Sequence, residues 1–290
     1  MGSVKTMSSW SRLVSSIDSI PEVFRGYINE EEFGSETFPY TIFIPPCRWG
    51  FNKVNPKLLY VLKNRLHILE KDKKTVKETC YTFENLNYVE FGTVLLYSWI
   101  EFNGEENGIP QVSRLEFNTV TLNIFSNLVG IIRSGINNYG QRDRDSELAK
   151  FNHLSRLNYK FMSYGRQGVM LGGKVTAMIY QPEILVEKAR VLGRVFLKKA
   201  ANPHLSILTD RELIIITDAD RKYTKYGGVS TFIPLSRITR ISYKTSDSGE
   251  FFNLCIDLEE CAGIKLPLSS ANLNEMDTFT QAANLQKQNI

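Results

Sequence analysis

The sequence contains few of the residues from which catalytic and metal sites are most often built. Its 290 residues include only three histidines and four cysteines. The cysteines form no Cys-x-x-Cys pair and none is closely spaced with histidine: Cys47, Cys80, Cys255 and Cys261. Because zinc sites need such spacing, we expect no metal centre. Buried or half-buried free thiols in a reducing compartment are the simplest interpretation.

The motifs of common enzyme classes are also missing. We find no nucleophile elbow, no His-Glu-x-x-His and no phosphate-binding loop. His67, His153 and His204 neighbour no Ser or Cys nucleophile motif along the chain. The glycines between 165 and 173 lack the Lys-Ser/Thr that would follow in a phosphate loop. We therefore predict a protein that is not an enzyme, with no catalytic residues and no cofactor.

Long apolar runs and a strong charge of one sign are absent as well. No apolar stretch approaches the ~20 residues that span a bilayer, and no basic segment followed by an apolar run opens the chain. The net charge of +4 with a pI near 8.7 permits an anionic partner without requiring one. No nucleic-acid-binding motif accompanies it. We expect a cytoplasmic protein with no nucleic-acid partner.

What the sequence does contain is an internal repeat. Residues 59–69 and 205–216 are similar β-rich runs. Each run is followed by a Thr-Phe pair, Thr82-Phe83 in the first half and Thr231-Phe232 in the second. Phe83 and Phe232 are 149 residues apart, and so are Phe117 and Leu266. Two anchors with one offset indicate duplication into two similar domains.

Alternating apolar and β-branched residues predict short strands in each half. The strands predicted in the first half are 40–44, 58–69 with a turn at Lys63-Asn64, 79–83, 86–91, 94–102 and 112–117. Asn103-Gly104 and Asn107-Gly108 are typical turn sequences. Asn118 or Thr119 is predicted to cap a helix that ends near Ile136. The second half begins with a strand at 175–180 and ends with a helix at 270–286.

Helical apolar spacing appears outside these strands. Residues 8–31 predict one or two short helices, and residues 143–164 predict one amphipathic connecting helix. Gly165, Gly168, Gly172 and Gly173 are predicted to break the chain into a flexible linker.

Strands followed by a helix indicate an α+β fold. The phrases Leu208–Ile214 and Ile233–Ile238 resemble the bacterial pleckstrin-homology-like (PH-like) family, in which an "LT..RL" strand end precedes an "IPL..I" strand start. The first half departs from it, because Lys63-Asn64 replaces Thr-Asp and Glu84-Asn85-Leu86 replaces Ile-Pro-Leu. The resemblance implies two tandem PH-like units, each an antiparallel β-sandwich or open barrel closed by a C-terminal helix. The predicted boundaries are an N-terminal helical segment 1–37, domain 1 at 38–138, a connecting helix and Gly-rich linker at 139–172, and domain 2 at 173–290.

For function, the resemblance implies an interaction or scaffold module that binds a protein partner, by a sheet edge or a strand–helix groove. Trp10, Trp49 and Phe51 fall near predicted loops. They are either exposed anchors for a partner or residues packed between the domains.

The alternative is peripheral association with anionic lipid, since PH-like folds that bind phosphoinositides use cationic loops. The candidate residues are Arg48, Lys53, Lys57, Lys71, Lys73, Lys74, Lys77, Lys188, Arg190, Arg194, Lys198, Lys199, Arg221, Lys222 and Lys225. Each nearby cation contributes about 1 kcal/mol to such binding. Interleaved carboxylates such as Asp72 and Asp218 reduce the local field, and a charged hairpin tip often serves only to prevent edge aggregation.

Overall fold

The computed structural model describes residues 10–29, 31, 33, 37–49, 52–137, 139, 143–191, 194–219, 227–259 and 261–287. Contacts divide the chain into two compact units, Met1–Ile136 and Asn137–Ile290. The fold is α+β and mostly antiparallel sheet, as predicted. Within the described ranges, no helix is long and apolar enough to cross a membrane.

The first unit opens with an antiparallel sheet in the order β1-β2-β5-β6-β7. The strands of this part are β1 (Arg12–Leu13), β2 (Ile42–Ile44), β3 (Cys47–Trp49), β4 (Asn52–Val54), β5 (Lys57–Leu62), β6 (Arg65–Lys71) and β7 (Val76–Thr82). Strands β3 and β4 form a short separate hairpin between β2 and β5. Lys63 and Asn64 both have positive φ angles, 49° and 59°, so the turn predicted there joins β5 to β6.

The N-terminal segment packs onto this sheet. It contains β1, a 3₁₀ turn at Ile17–Ser19 and one helical turn, α1 (Glu22–Arg25). Phe24 lies in one buried cluster with residues of the sheet such as Phe43 and Leu58. The segment therefore contributes to the core of the first unit.

A second, three-stranded antiparallel sheet follows in the order β8-β9-β10. Its strands are β8 (Leu86–Val94), β9 (Tyr97–Glu106) and β10 (Ile109–Asn118), and helix α2 (Leu122–Ile136) ends the unit. Asn118 Oδ1 accepts a hydrogen bond from Val120 N at 3.0 Å, so the predicted cap is confirmed.

Of the two turns predicted in this sheet, one is confirmed and one is wrong. Asn107-Gly108 is a turn as predicted, with φ angles of 54° and 76°. The turn predicted at Asn103-Gly104 is wrong, since both residues lie within β9. A Cβ on Gly104 would lie 2.4 Å from the Asn85 carbonyl oxygen, so glycine is needed there for a close backbone approach. The missed turn is at Leu95-Leu96, where Leu95 has a φ of 55°.

The predicted single connecting helix is in fact three short ones. They are α3 (Arg144–Ala149), α4 (Leu154–Leu157) and α5 (Tyr159–Gly168). Asn158 caps α5, its Oδ1 accepting from Lys160 N at 3.1 Å. The flexible linker predicted from Gly165 onward is also wrong in part, because Gly165 and Gly168 are buried inside α5.

The second unit repeats the strand order of the first. Its strands are β11 (Val175–Gln181), β12 (Ile184–Val191), β13 (Arg194–Ala201), β14 (His204–Thr209), β15 (Glu212–Thr217), β16 (Gly227–Pro234), β17 (Ile238–Thr245), β18 (Phe252–Leu258) and β19 (Ile264–Leu268), followed by helix α6 (Leu273–Lys287). Strands β11, β14, β15 and β16 pair antiparallel in the order β11-β14-β15-β16. Strands β17-β18-β19 form a three-stranded sheet. Strands β12 and β13 form a separate hairpin between β11 and β14.

The offset of the repeat differs from the sequence prediction. Phe83 N donates to Asn64 O at 3.0 Å, and Leu235 N donates to Arg211 O at 2.9 Å. Phe83 therefore corresponds to Leu235, and its pairing with Phe232 is wrong by three residues. Helices α2 and α6 both have 15 residues, and their starts are 151 residues apart. The buried positions of the two helices coincide at this offset: Phe125 with Met276, Leu128 with Phe279, and Ile132 with Ala283.

Candidate functional site

The β12–β13 hairpin carries three consecutive exposed apolar residues, the longest such run among the described residues of the second unit. Its base is buried, since Ile184 and Ala201 are each 8% exposed and lie opposite each other. Farther out, Val195, Phe196 and Leu197 are 45%, 52% and 57% exposed. Because successive side chains of a strand point to opposite faces, three consecutive exposed residues mean that solvent reaches both faces of β13.

Cations flank this apolar run. Lys188, Arg194, Lys198 and Lys199 are all exposed. Lys199 Nζ lies 3.3 Å from Glu183 Oε2. Because this ion pair is open to solvent, it offsets the charge of Lys199 only weakly. Between residues 184 and 201 the sequence has five basic residues and one acidic residue. The hairpin is thus both apolar and cationic.

The outer part of the β6–β7 hairpin carries four of the seven cations predicted in the first unit. Lys73, Lys74 and Lys77 are exposed and Lys71 is half-buried. Asp72 Oδ1 accepts from Lys74 N at 2.7 Å and from Thr75 N at 2.8 Å. The backbone hydrogen bonds from Thr75 and Lys74 lower the pKa of Asp72, so its carboxylate stays charged beside the lysines.

Lys57 is placed differently from the other candidates. It is buried, and its Nζ is paired with Glu70 Oε2. Asn55 Nδ2 also donates to Glu70, at 2.9 Å. Since this charge is neutralised within the sheet, Lys57 belongs to the packing of the first unit and we do not count it as part of a binding surface.

Several predicted site residues lie outside the described part of the chain: Arg221, Lys222 and Lys225, and with them Phe51. For Arg48, Lys53, Arg190 and Trp49 only the backbone is described, as part of strands β3, β4 and β12. Trp10 is half-buried.

The structure also brings together a thiol, an imidazole and a carboxylate that sequence reasoning missed. His67 and Cys80 are opposite residues of β6 and β7. Cys80 Sγ lies 3.9 Å from His67 Nε2, and His67 Nδ1 lies 2.8 Å from Glu78 Oε1. The signal is cross-strand pairing, which becomes visible only once the register of the hairpin is known.

This cluster has the connectivity of a nucleophile–base–orienter set but lacks activation. Burial raises the pKa of the Cys80 thiol, which favours the unreactive protonated form. The His67 ring stacks on Tyr60 with 4.5 Å between centroids. Neither the cavity beside Lys77 in the first unit nor the cavity beside Ser242 in the second is lined by Cys80 or His67. We interpret the cluster as cross-strand packing.

The other candidate chemistry is sparse. The four cysteines are free thiols. Among the described residues, no group of three or more His, Cys, Asp and Glu side chains is placed to hold a metal ion. His204 is buried, and this burial lowers its pKa to about 4; its Nε2 has no hydrogen-bond partner in the described part of the chain.

A cavity of about 130 Å³ in the first unit is lined by charged and polar residues, among them Lys77 and Arg114. It also contains the Lys57–Glu70 ion pair. Three cations and one carboxylate line it. Lys57 is paired with Glu70 and Arg114 with Glu101, so most of this positive charge is already neutralised.

The outer face of the β8–β10 sheet is closed by its own side chains. The Trp99 ring lies over Gly92, where a Cβ would be 2.1 Å from Trp99 Cζ2. Trp99 Nε1 donates to Glu90 Oε1 at 2.8 Å. The Arg114 guanidinium lies 4.8 Å from the centre of the Trp99 ring and 3.3 Å from Glu101 Oε2.

A small apolar patch lies at one end of the same sheet. Leu95 and Leu96, the turn between β8 and β9, are both exposed. Val120 is exposed as well, and Thr119 N donates to Leu96 O at 3.0 Å. The patch is therefore contributed jointly by the turn and by the 3₁₀ turn Thr119–Thr121 that leads into the closing helix.

Comparison with models of known protein families finds no match for this chain, and a search of curated proteins finds none either. The PH-like resemblance therefore depends on the sequence phrases and on the order of strands and helices alone.

Proposed function

We propose that this chain is a non-catalytic binding protein of two PH-like units that associates peripherally with an anionic membrane surface through the β12–β13 hairpin. The order of elements supports the PH-like part. In each unit four antiparallel strands, with a hairpin between the first two, precede a three-stranded sheet and a closing helix. Fold alone does not determine function, so the functional part of the proposal depends on the hairpin.

The observation that carries the proposal is the run Val195-Phe196-Leu197, exposed on both faces and flanked by Arg194 and Lys198. Apolar side chains can enter the interfacial region of a bilayer, while basic side chains beside them remain at the lipid headgroups. Each cation near an anionic surface contributes about 1 kcal/mol. A protein partner would also cover the apolar residues, but the excess of cations favours the anionic surface.

The test is co-sedimentation of the full chain with vesicles of phosphatidylcholine alone or mixed with phosphatidylserine. We expect binding only to the mixed vesicles, decreasing as salt rises. The double variant Lys198→Glu/Lys199→Glu should lower partitioning at least roughly thirtyfold, because about 2 kcal/mol is lost from two cations.

The matched control is Lys73→Glu/Lys74→Glu, which makes the same change of charge at a tip without exposed apolar neighbours. It should reduce binding much less. Phe196→Ser/Leu197→Ser tests the apolar contribution at constant charge. Absence of binding to mixed vesicles at low salt, or equal loss in both charge variants, would contradict the proposal.

A protein partner is the second candidate function, and the Leu95-Leu96-Val120 patch favours it. This patch is apolar, and no charged residue belongs to it, which suits a protein partner better than lipid headgroups. Leu95→Asn/Leu96→Ser should preserve the fold, because asparagine tolerates a positive φ. Cross-linked partners that are retained by the Lys198→Glu/Lys199→Glu variant but lost with this one would locate the interface on the patch; partners unaffected by it would contradict this assignment.

A further inference from the structure

The outer face of the β17–β19 sheet contains a concave cavity of about 500 Å³. This volume is typical of small-molecule sites. Three cations line it: Arg240, Lys244 and Lys265. The lining also includes the hydroxyl of Ser242 and one carboxylate, Asp257.

The strand register explains why these side chains share one face. Arg240 and Lys244 lie two residues to either side of Ser242 on β17, roughly 13 Å apart along the strand. Ser242 is opposite Cys255 on β18, and Cys255 is opposite Lys265 on β19. Opposite residues point to the same side of a sheet, so the three cations surround a central Ser242–Cys255 pair.

These cations are unpaired within the described part of the chain. Arg240, Lys244 and Lys265 are exposed, and none of them forms an ion pair or side-chain hydrogen bond with a described residue. Asp257 lies opposite Arg240 in the register, yet no ion pair within 4.0 Å joins the two. The face therefore has an excess of positive charge around a concave centre.

The corresponding face of the first unit has the opposite composition. There Glu101 lies opposite both Glu90 and Arg114, in the central place that Cys255 takes in the second unit. Arg114 therefore corresponds to Lys265. Glu101, which pairs with Arg114, is replaced by a residue without charge.

The other two carboxylates of the first face are lost as well. Glu90 corresponds to Ser242, since each lies opposite the central residue on the first strand of its sheet. Glu116, which lies opposite Trp99, corresponds to Pro267, which lies opposite Asn253. The second face thus keeps the shared cation, adds two more and has none of the three carboxylates of the first. Its one carboxylate, Asp257, takes the place of Asn103.

We infer that this face binds a small phosphorylated molecule, with Arg240, Lys244 and Lys265 contacting its phosphate oxygens and Ser242 donating a hydrogen bond. An arginine fork and two ammonium groups suit a dianionic, tetrahedral group better than a single carboxylate. Because the cavity is concave, a small soluble ligand fits it better than a partner with a flat surface would. The site is separate from the hairpin of the proposed function.

The experiment is isothermal titration calorimetry of the full chain with inorganic pyrophosphate at low ionic strength. Chloride is added so that the ionic strength stays constant during the titration. We expect saturable binding that weakens about tenfold or more in Arg240→Ala/Lys265→Ala, because charge-assisted hydrogen bonds are lost. Arg156→Ala removes an exposed cation of the same unit that does not line the cavity, and it should leave binding unchanged.

Ser242→Glu keeps all three cations and introduces the carboxylate that the first unit has at this position. It should abolish binding while leaving thermal unfolding close to that of the wild type, which separates loss of the site from loss of the fold. No saturable binding by the wild type, or equal weakening in Arg156→Ala, would overturn the inference.

A second arm distinguishes the source of the phosphate. Vesicles of phosphatidylcholine with phosphatidic acid present a terminal phosphate group on a lipid. If vesicle binding is lost in Arg240→Ala/Lys265→Ala and persists in Lys198→Glu/Lys199→Glu, a lipid headgroup occupies this cavity. If it is lost only in Lys198→Glu/Lys199→Glu, the vesicles bind the hairpin and the cavity binds a soluble ligand. Failure of the hairpin proposal therefore does not affect the titration with pyrophosphate.

Discussion

The outer faces of the two three-stranded sheets show how one strand register can be used in two ways. In the first unit, Trp99 covers Gly92, and Arg114 is held by Trp99 and by the carboxylate of Glu101. In the second unit, an asparagine takes the place of the tryptophan and Lys244 the place of the glycine. The first face satisfies its own charges and the second leaves them to solvent. The backbone thus sets which residues meet, and the side chains decide whether the face is closed or open.

The largest effect on stability is expected in the closing helices, whose buried positions coincide at an offset of 151 residues. Leu128→Ala in the first unit and Phe279→Ala in the second should each lower the free energy of unfolding by about 3 kcal/mol or more, because each removes a fully packed side chain. Asn127→Ala and Thr278→Ala are exposed neighbours at the same offset, and they should cost less than about 0.5 kcal/mol. Urea denaturation followed by circular dichroism measures all four. A small effect at only one of the two core positions would break the equivalence.

A second test uses pH at the start of β5 and β14. Lys57 and Glu70 face each other in the first unit, and His204 and Thr217 do so in the second. Burial lowers the pKa of His204 from 6.5 to about 4, so the unfolded chain takes up this proton first. The neutral, buried His204 therefore contributes to the free energy of unfolding. This contribution is complete above pH 6.5, is lost as pH falls towards 4 and amounts to roughly 3 kcal/mol.

The variant His204→Gln should remove that part of the pH dependence, measured as the difference from wild type in unfolding free energy between pH 7 and 4. In the first unit burial raises the pKa of Glu70, but hydrogen bonds from Lys57 and Asn55 outweigh it and the pKa is lowered. Glu70 therefore loses its contribution only as pH falls below its ordinary value of 4.5. Unchanged pH curves in His204→Gln would show that the histidine is not buried as described.

The third test acts directly on the closed face. Gly92→Ala places a methyl group within the Trp99 ring, and we expect a loss of about 2 kcal/mol because the ring must move. Lys244→Ala, at the corresponding position, should change stability by less than about 0.5 kcal/mol. Chemical denaturation compares them, and tryptophan fluorescence in a Trp10→Phe/Trp49→Phe background reports whether the Trp99 ring shifts. Equal effects would mean that the two faces do not differ in packing.

The smallest expected difference concerns the shared cation. Arg114→Ala should cost about 1 kcal/mol, since it loses a stacked ring and half-exposed ion pairs. Lys265→Ala should leave stability unchanged in the absence of a ligand. Both are measured by thermal unfolding, and a stability loss in Lys265→Ala as large as in Arg114→Ala would contradict the open face.

Much of the fold was predictable where local chemistry and tertiary structure agree. The turn at Lys63-Asn64 and the cap at Asn118 follow from ordinary residue preferences. The turn at Leu95-Leu96 did not, because leucine rarely adopts a positive φ. Asn103-Gly104 has a turn sequence, but its glycine is required by the nearby backbone of Asn85.

The candidate sites were predictable only as composition. Lysine and arginine could be assigned to hairpins, but neither the burial of Lys57 nor the two-faced exposure of β13 has a sequence signature. The cationic cavity depends on cross-strand register, which a single sequence specifies poorly because a shift of one residue exchanges the two faces. The interruption of the connecting helix was missed for a related reason. The helical spacing of apolar residues continues across Asn158, but the backbone leaves the helical conformation there.

The β12–β13 hairpin begins and ends at the buried pair Ile184 and Ala201 and forms a two-stranded sheet of its own. Among the described residues, β12 and β13 pair with each other and not with the sheet of β11, β14, β15 and β16. The length and sequence of this insert can therefore change without altering the framework that carries it. In evolution or in engineering, this makes the position between the first two strands a natural place to exchange one hairpin for another.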